Sequence, residues 1–311
     1  MAGRLRAPTA PGGACEQHVL ITRRRLAMRS VLFSIGPVRI HSYGVMLTLG
    51  FIAGILWMRR EGKSRGLGTD VILDFALWTL LSSVLVARGL FVALNWPEFA
   101  DSPRDIVWLW RGGLSFHGGV LGAIGAGLLF ARRRGIQFGT LADTAAPAIP
   151  LGYAIARIGC FMNGCCQGCP TDLPWGVRFP VTPGDTAVLT APSHPTQLYD
   201  SLMSLAVFGL IVLLRPHFGA RGQLFAAYVA IYSLERYIVE IWRTGCSAVA
   251  FGPLAPLTQA QVASVALAVI AAAFVLVEEW ARLHAAQEAP AVPPPEPEEP
   301  EPARKPKRIR R

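Results

Sequence analysis

Long apolar segments alternate with short charged or Pro/Gly-rich segments along most of the chain. A helix needs roughly 20 mostly apolar residues to cross the hydrocarbon core of a bilayer. Seven segments come close to this length, at approximately 41–58, 71–94, 113–131, 141–161, 197–214, 223–242 and 258–280. The pattern therefore predicts an all-α polytopic membrane protein with about seven transmembrane helices.

Basic residues are concentrated in every second loop. RREGKSRG, ARRRG and RPHFGARG follow the first, third and fifth predicted spans, whereas the loops after the second, fourth and sixth spans contain few Lys or Arg. Short cytoplasmic loops are enriched in Lys and Arg. We therefore expect the N-terminus outside, the C-terminus in the cytoplasm, and an outer loop at 164–195.

The two ends of the chain differ from the membrane domain, which we place at 28–282. Residues 1–27 are basic and lack the apolar core of a signal peptide. They are either a short basic extension or not translated, with a start at Met28. Residues 283–311 are rich in Pro and Glu and then basic, so we expect a disordered cytoplasmic tail.

The composition agrees with a membrane protein and changes the interpretation of the charge. Hydrophobic residues make up 52% of the chain and charged residues 16%, against about a quarter charged in soluble domains. The net charge of +10 lies mostly in the predicted inner loops and the tail. Topology therefore explains the positive charge, and nucleic-acid binding is not supported.

Several ionisable side chains fall inside the predicted spans, where an unpaired charge costs a few kcal/mol. Tyr232, Arg236 and Glu240 are four residues apart and share one stripe of the sixth span. This stripe either faces a ligand or contains a self-neutralising Arg236–Glu240 pair.

Arg157, near the outer end of the fourth span, either reaches the headgroup region or binds a phosphate. Together, Arg157 and Arg236 would suit a phospholipid headgroup.

The third predicted span opens with SFHGG, which places His117 beside Gly118 and Gly119. Glycines let neighbouring membrane helices approach closely. His117 is either a structural residue or a base that accepts a proton from a thiol or hydroxyl near neutral pH.

Four of the six cysteines lie between Cys160 and Cys169. Cys166 and Cys169 have a C-x-x-C spacing that occurs in zinc and iron–sulfur sites. An outward-facing position favours disulfides instead. Disulfides or inert thiols, a metal site, and a direct chemical role of Cys160 or Cys165 therefore remain as alternatives.

Several motifs resemble, in order and spacing, the bacterial phosphatidylglycerol–prolipoprotein diacylglyceryl transferases. They are IGPVRIHSYGVML, SFHGG, ADTAAPAIPLGYAIARIGCFMNG, HPTQLYD and YSLERYIVEIWR, within roughly 31–277. The resemblance implies seven membrane helices in the bacterial cytoplasmic (inner) membrane, with an outer N-terminus. It also implies transfer of an sn-1,2-diacylglyceryl group from phosphatidylglycerol to the lipobox cysteine thiol of prolipoprotein signal peptides, the first step of lipoprotein maturation. No metal or dissociable cofactor is implied.

The resemblance implies roles for individual residues. His117 matches the base for the thiol, and Arg157 and Arg236 match the arginines that bind the lipid phosphate. The remaining catalytic positions implied are Tyr43, Tyr232 and Glu240. Besides Arg157, the substrate-binding positions implied are Gly118, Gly119, Asp143, Cys160, Asn163, Cys165, Gly168 and His194.

The chain departs from the family signature R-I-G-N-F-x-N-G-E at two positions. Cys160 stands where the first Asn is expected, and Cys165 stands where the Glu is expected. A thiol replaces neither an amide's hydrogen bonds nor a carboxylate's charge. Two alternatives therefore stay open: a membrane enzyme with another acceptor or a cysteine-dependent chemistry, and a non-enzymatic protein such as a transporter. No internal inverted repeat supports a transporter.

Overall fold

The computed structural model describes residues 19–21, 30–36, 38–108, 112–182, 185–243 and 257–288, and most of them are helical. The helices are α1 (Ser42–Ser64), α2 (Thr69–Leu94), α3 (Trp96–Ala100), α4 (Phe116–Arg134), α5 (Phe138–Ala145), α6 (Ala148–Asn163), α7 (Thr196–Leu214), α8 (Gln223–Glu240) and α9 (Gln259–Glu288). Helices thus occupy all seven predicted span positions, the fourth being α5 and α6 on either side of Pro147.

Five helical segments among the described residues are long and apolar enough to cross a membrane. They are Ser42–Ser64, Thr69–Leu94, Phe138–Asn163, Thr196–His217 and Gln259–His284. The other two predicted spans, α4 and α8, are helices of 19 and 18 residues with a more polar composition. Glycines and three terminal arginines lower the hydropathy of α4, and Glu235, Arg236 and Glu240 lower that of α8. The all-α membrane class is confirmed.

Short strands cover the end of the bundle where α1 begins and α6 ends. The strands are β1 (Val19–Ile21), β2 (Val31–Ile35), β3 (Val38–His41), β4 (Pro180–Thr182) and β5 (Asp185–Thr190). β2 pairs with β3, and β5 lies between β1 and β4, all antiparallel. The predicted outer loop thus contains a small sheet, to which β1 of the basic N-terminal segment adds a strand.

The predictions for the chain ends fall largely outside the described residues. Residues 1–18, 22–29 and 289–311 are not described, so the start at Met28 and the disordered tail stay predictions. The helix α9 runs to Glu288, past the domain boundary predicted at 282.

Glycines allow backbone contact between two helix pairs. A Cβ on Gly50 of α1 would lie 2.5 Å from the carbonyl oxygen of Gly152 on α6. A Cβ on Gly118 of α4 would lie 2.7 Å from the carbonyl oxygen of Val86 on α2. Such contacts are typical of membrane helices, in which small residues let backbones approach. Large side chains such as Leu213 are meanwhile exposed on the outside of the bundle, as expected of a surface that faces lipid.

A polar cluster holds together the end of the bundle opposite the strands. Glu61, near the end of α1, pairs with Arg65 at 3.1 Å and Arg215 at 2.6 Å. Asp143 of α5 accepts hydrogen bonds from the backbone N–H groups of Gly222 at 2.8 Å and Phe225 at 2.9 Å. Asp143 thereby caps the N-terminus of α8, since those N–H groups have no partner within the helix.

Candidate active site

Arg157 lies near the end of α6, with a side chain that is only 10% exposed. Its Nε donates a hydrogen bond of 2.8 Å to the hydroxyl of Tyr153, one helical turn earlier. The guanidinium also forms an ion pair with Asp200 near the start of α7. Because a charge buried in a membrane protein needs a partner, this pair fixes the position of Arg157 inside the bundle.

The stripe predicted on the sixth span is present on α8. Arg236 forms an ion pair with Glu240, with 2.6 Å between Nη1 and Oε2. Glu240 is fully buried and also accepts a hydrogen bond of 3.4 Å from the hydroxyl of Thr258. The Arg236–Glu240 pair, one of the two alternatives for this stripe, therefore exists, and 21% of the Arg236 side chain remains exposed.

Two tyrosines connect the arginines of α6 and α8. The rings of Tyr153 and Tyr232 meet edge to face, with centroids 6.0 Å apart. Tyr232 lies within electrostatic range of both Arg157 and Arg236. The predicted residues Arg157, Tyr232, Arg236 and Glu240 thus converge at one end of the bundle.

Two buried carboxylates belong to this region although the sequence analysis assigned them no role. Asp200 pairs with Arg157, and Glu235 accepts a hydrogen bond of 2.6 Å from Ser204 of α7. Both lie within electrostatic range of Arg236. Their position inside apolar spans was the available signal, because intramembrane carboxylates usually face a partner or a ligand.

A turn with three free thiols follows Arg157. Gly164 ends α6 in the left-handed region, and Cys160, Cys165 and Cys166 are free while Cys169 is disulfide-bonded. Hydrogen bonds from the thiols of Cys160 and Cys165 lower the pKa of Cys166, and the nearby Arg157 acts in the same direction. Cys169 is thus in a disulfide, one of the alternatives that the sequence left open, whereas Cys160, Cys165 and Cys166 are free thiols.

Gly168 and His194 hold the outer loop against the helix ends. The N–H of Gly168 donates to the carbonyl oxygen of His194 at 2.9 Å. A Cβ on Gly168 would collide with the carbonyl oxygen of Trp242 and would lie 2.7 Å from the methyl group of Thr196. The His194 ring lies 3.3 Å from the hydroxyl of Tyr199, and burial lowers the pKa of His194. Here the structure shows packing that fixes the loop.

Tyr43 and Asn163 lie close to the thiols. Tyr43, at the start of α1, is within electrostatic range of Arg157 and the three free cysteines. The Asn163 side chain is within hydrogen-bonding reach of the Cys165 thiol. The predicted positions around Arg157 are therefore neighbours in space.

His117 and Asp143 lie apart from Arg157. His117 is exposed at the start of α4, where its ring contacts Phe116, and no contact found among the described residues joins it to Arg157. Gly118 is packed against α2, and a Cβ added at Gly119 would lie 3.9 Å from the Cβ of Ala87. Asp143 precedes Arg157 by 14 residues of nearly continuous helix, which is about 20 Å at 1.5 Å per residue.

An apolar cavity reaches the arginine region from within the bundle. It has a volume of about 460 Å³ and is lined by residues of α1, α2, α4, α5, α6 and α8, including Leu47, Phe51, Ile124 and Tyr153. This volume is in the range of small-molecule sites. Tyr153 lines the cavity and also binds Arg157. The site can therefore hold a molecule with an apolar body and an anionic group.

Comparisons with known proteins agree with this geometry. A sequence model of the prolipoprotein diacylglyceryl transferase family matches residues 30–277. A phosphatidylglycerol–prolipoprotein diacylglyceryl transferase of Bacillus velezensis is 36% identical over 217 residues, which are 69% of this chain and 80% of that protein. Proteins of the same name from Bacillus anthracis and Trichormus variabilis are 37% identical over 250 residues (79% of this chain, 91% of that protein) and 36% over 233 residues (72% and 81%).

Proposed function

Because the chain belongs to the prolipoprotein diacylglyceryl transferase family, we propose that it transfers the sn-1,2-diacylglyceryl group of phosphatidylglycerol to the lipobox cysteine of prolipoproteins. One observation supports this proposal above the others. Tyr153 lines the apolar cavity and accepts a hydrogen bond from Arg157. Acyl chains in the cavity would thus place the phosphodiester of the same lipid at the arginine.

The reaction breaks the bond between the sn-3 carbon of the diacylglyceryl group and a phosphate oxygen. The thiol sulfur of the lipobox cysteine forms a thioether with that carbon, and glycerol phosphate leaves with the electron pair of the broken bond. Negative charge therefore develops on the departing phosphate. Arg157 and Arg236 stabilise this charge, because guanidinium groups bind phosphate oxygens through paired hydrogen bonds.

The thiol must lose its proton during the attack, and His117 is the base in this proposal. His117 is exposed and starts α4, which packs against the C-terminal half of α2. Since α2 runs antiparallel to α1, this places His117 at the same end of the bundle as Tyr43 and Arg157. An exposed position there suits a base that meets a signal peptide arriving from the lipid.

The proposed topology has seven spans, an outer N-terminus and an inner C-terminus in the bacterial inner membrane. The 19 residues of α4 and 18 of α8 reach about 27–29 Å at 1.5 Å per residue, close to the hydrocarbon thickness. Arg65 and Arg215 lie at the end of the bundle opposite Arg157. The positive-inside rule then puts Arg157 at the outer side.

The other predicted residues would support the reacting groups. Tyr232 and Glu240 position the two arginines, and Tyr43 lies near Arg157. Asn163 and Gly168 shape the turn and loop that follow Arg157. Substrate contact by the remaining predicted positions stays part of the proposal: Gly118, Gly119, Asp143, Cys160, Cys165 and His194.

Complementation tests the proposal. The full chain is expressed in a bacterium whose own diacylglyceryl transferase is depleted, and growth and the gel shift of a reporter prolipoprotein are followed. We expect rescue by the wild type and its loss with Arg236→Gln, because the phosphate would lose one of its two guanidinium partners. A membrane-inserted wild-type protein that does not modify the reporter would contradict the proposal.

Arg215→Gln is the matched control. Arg215 is also an arginine paired with a buried carboxylate, but it lies at the opposite end of the bundle. The Arg215→Gln variant should still rescue growth when it is expressed at the same level as Arg236→Gln. Equal loss in both variants would attribute the effect to folding rather than to phosphate binding.

A further inference from the structure

Three free thiols meet at the turn after α6. The Sγ atoms of Cys160, Cys165 and Cys166 all lie within 4.8 Å of one another. Cys160 is buried and the other two are half-buried. We propose that these three thiols bind one thiophilic divalent cation of the zinc type, which goes beyond the transferase activity and does not depend on it.

The spacing of the sulfurs suits such an ion. A Zn–S bond of about 2.3 Å in tetrahedral geometry separates the sulfurs by about 3.8 Å. Sulfurs that lie within 4.8 Å of one another reach this spacing by moving about 0.6 Å each toward their common centre. Side-chain rotation alone supplies a shift of this size. The three sulfurs therefore already lie close to the positions that a zinc ion requires.

The backbone holds the thiols in this arrangement. Cys166 has a φ of 66° and is the only non-glycine with positive φ in the described part of the chain. That conformation is unfavourable for a residue with a side chain and persists only where surrounding contacts impose it. Gln197 donates to the carbonyl oxygen of Cys165 at 2.6 Å, and Thr196 donates to that of Cys166 at 2.8 Å.

The charges around the turn balance the expected complex. Binding of Zn²⁺ releases three thiol protons to solvent and leaves a complex of net charge −1. Arg157 and Arg243 lie within electrostatic range of Cys166. The two arginines stabilise the thiolates, and with Asp200, which pairs with Arg157 and also lies near Cys166, the charges around the complex sum to zero.

Three protein ligands leave the fourth position of a tetrahedral ion open. Gln197 lies beside this turn, is fully buried, and its Oε1 has no hydrogen-bond partner among the residues described. A buried acceptor without a donor is unfavourable. Water bound at the open position could donate to it, in the way that groups around a metal site orient its ligands. Gln197 thus gives a second, independent sign of a missing polar group.

Cadmium titration tests the site directly. The purified full chain is reduced in detergent, freed of reductant, and titrated with Cd²⁺ while the ultraviolet thiolate-to-cadmium charge-transfer band is recorded. We expect saturation at one Cd²⁺ per chain and displacement by Zn²⁺. Absence of the band, or a band that Zn²⁺ does not displace, would overturn the proposal.

Variants assign the ligands. Cys160→Ser, Cys165→Ser and Cys166→Ser should each weaken Cd²⁺ binding at least tenfold. Met162→Leu is the matched control, because it removes a soft sulfur from the same segment while keeping the side-chain volume, and its affinity should equal that of the wild type. Wild-type affinity in all three serine variants would overturn the assignment.

A measurement on the wild type covers the case in which a serine variant does not fold. The reduced protein is alkylated with iodoacetamide with and without Zn²⁺, and the modified cysteines are identified by mass spectrometry. Zn²⁺ should protect Cys160, Cys165 and Cys166 together. Equal modification of the three with and without Zn²⁺ would also overturn the proposal. Neither readout involves transferase activity, so a failure of that function would not affect it.

Discussion

The contact between α1 and α6 at Gly50 gives a prediction whose size follows from the structure. In Gly50→Ala, the new methyl group would lie 2.5 Å from the carbonyl oxygen of Gly152, about 0.9 Å inside the 3.4 Å at which ordinary contact begins. The obstacle is a backbone atom, so no side chain can rotate away. The helices must separate by nearly 1 Å.

This separation affects both stability and activity. Overpacking costs about 1–3 kcal/mol, and the preference of helices for Ala over Gly returns about 0.5–1 kcal/mol. We expect a net loss of about 1 kcal/mol in the free energy of unfolding, and of at most about 2.5 kcal/mol. Because α6 also carries Arg157, a shift near 1 Å should lower the transfer rate by about 10²-fold.

Gly54→Ala, one turn later on α1, is the matched control. There an added Cβ would lie 3.5 Å from the carbonyl oxygen of Ala148, which is an ordinary contact. Both variants are compared with the wild type by thermal unfolding in detergent and by transfer from phosphatidylglycerol vesicles to a lipobox peptide. If Gly50→Ala matches Gly54→Ala in both assays, the backbone contact does not limit the position of α6.

Three further predictions concern Arg157, Gly168 and His194. Arg157→Lys should lower the transfer rate about 10²-fold or more with little loss of stability, since an ammonium group keeps the charge but lacks the paired N–H groups. A wild-type rate in the vesicle assay would contradict this prediction. Gly168→Ala should abolish rescue because its methyl group collides with the carbonyl oxygen of Trp242, and normal rescue would show that the loop can move. Burial lowers the pKa of His194, so the unfolded state binds the proton more strongly than the folded state. Stability should therefore fall as the pH drops below about 6.5. If the melting temperature of His194→Gln depends on acid pH in the same way as that of the wild type, His194 is not the cause.

The sequence predicted the helices and the arginine region for clear physical reasons. Apolar runs long enough to cross a bilayer have few alternatives to a helix, and helices occupy all seven predicted positions, five of them apolar enough to cross a membrane. The four-residue spacing of Arg236 and Glu240 specified their ion pair. Both predictions rest on local features of the sequence, the length of the apolar runs and the helical spacing of the charged residues.

Partners that are distant in the sequence could not be predicted in this way. The pair of Arg157 with Asp200 and the bond of Ser204 with Glu235 depend on how α6, α7 and α8 pack. No local pattern specifies this packing. The role of Asp143 as a cap for α8 is also visible only after folding. The three-thiol turn depends on Cys166 in the left-handed region, which the composition of the segment does not indicate.

The two ion pairs of the arginine region have a consequence for product release. Arg157 with Asp200 and Arg236 with Glu240 make two formally neutral pairs before lipid arrives. A phosphodiester brings a single negative charge, whereas a phosphate monoester approaches two at neutral pH, since its second pKa is about 6. The two carboxylates offset the two arginines, so the second charge of glycerol phosphate would gain little extra attraction, whereas two unpaired arginines would bind it more tightly than phosphatidylglycerol. The same pairs that position the guanidinium groups would hasten the departure of the product and limit its inhibition of the next cycle.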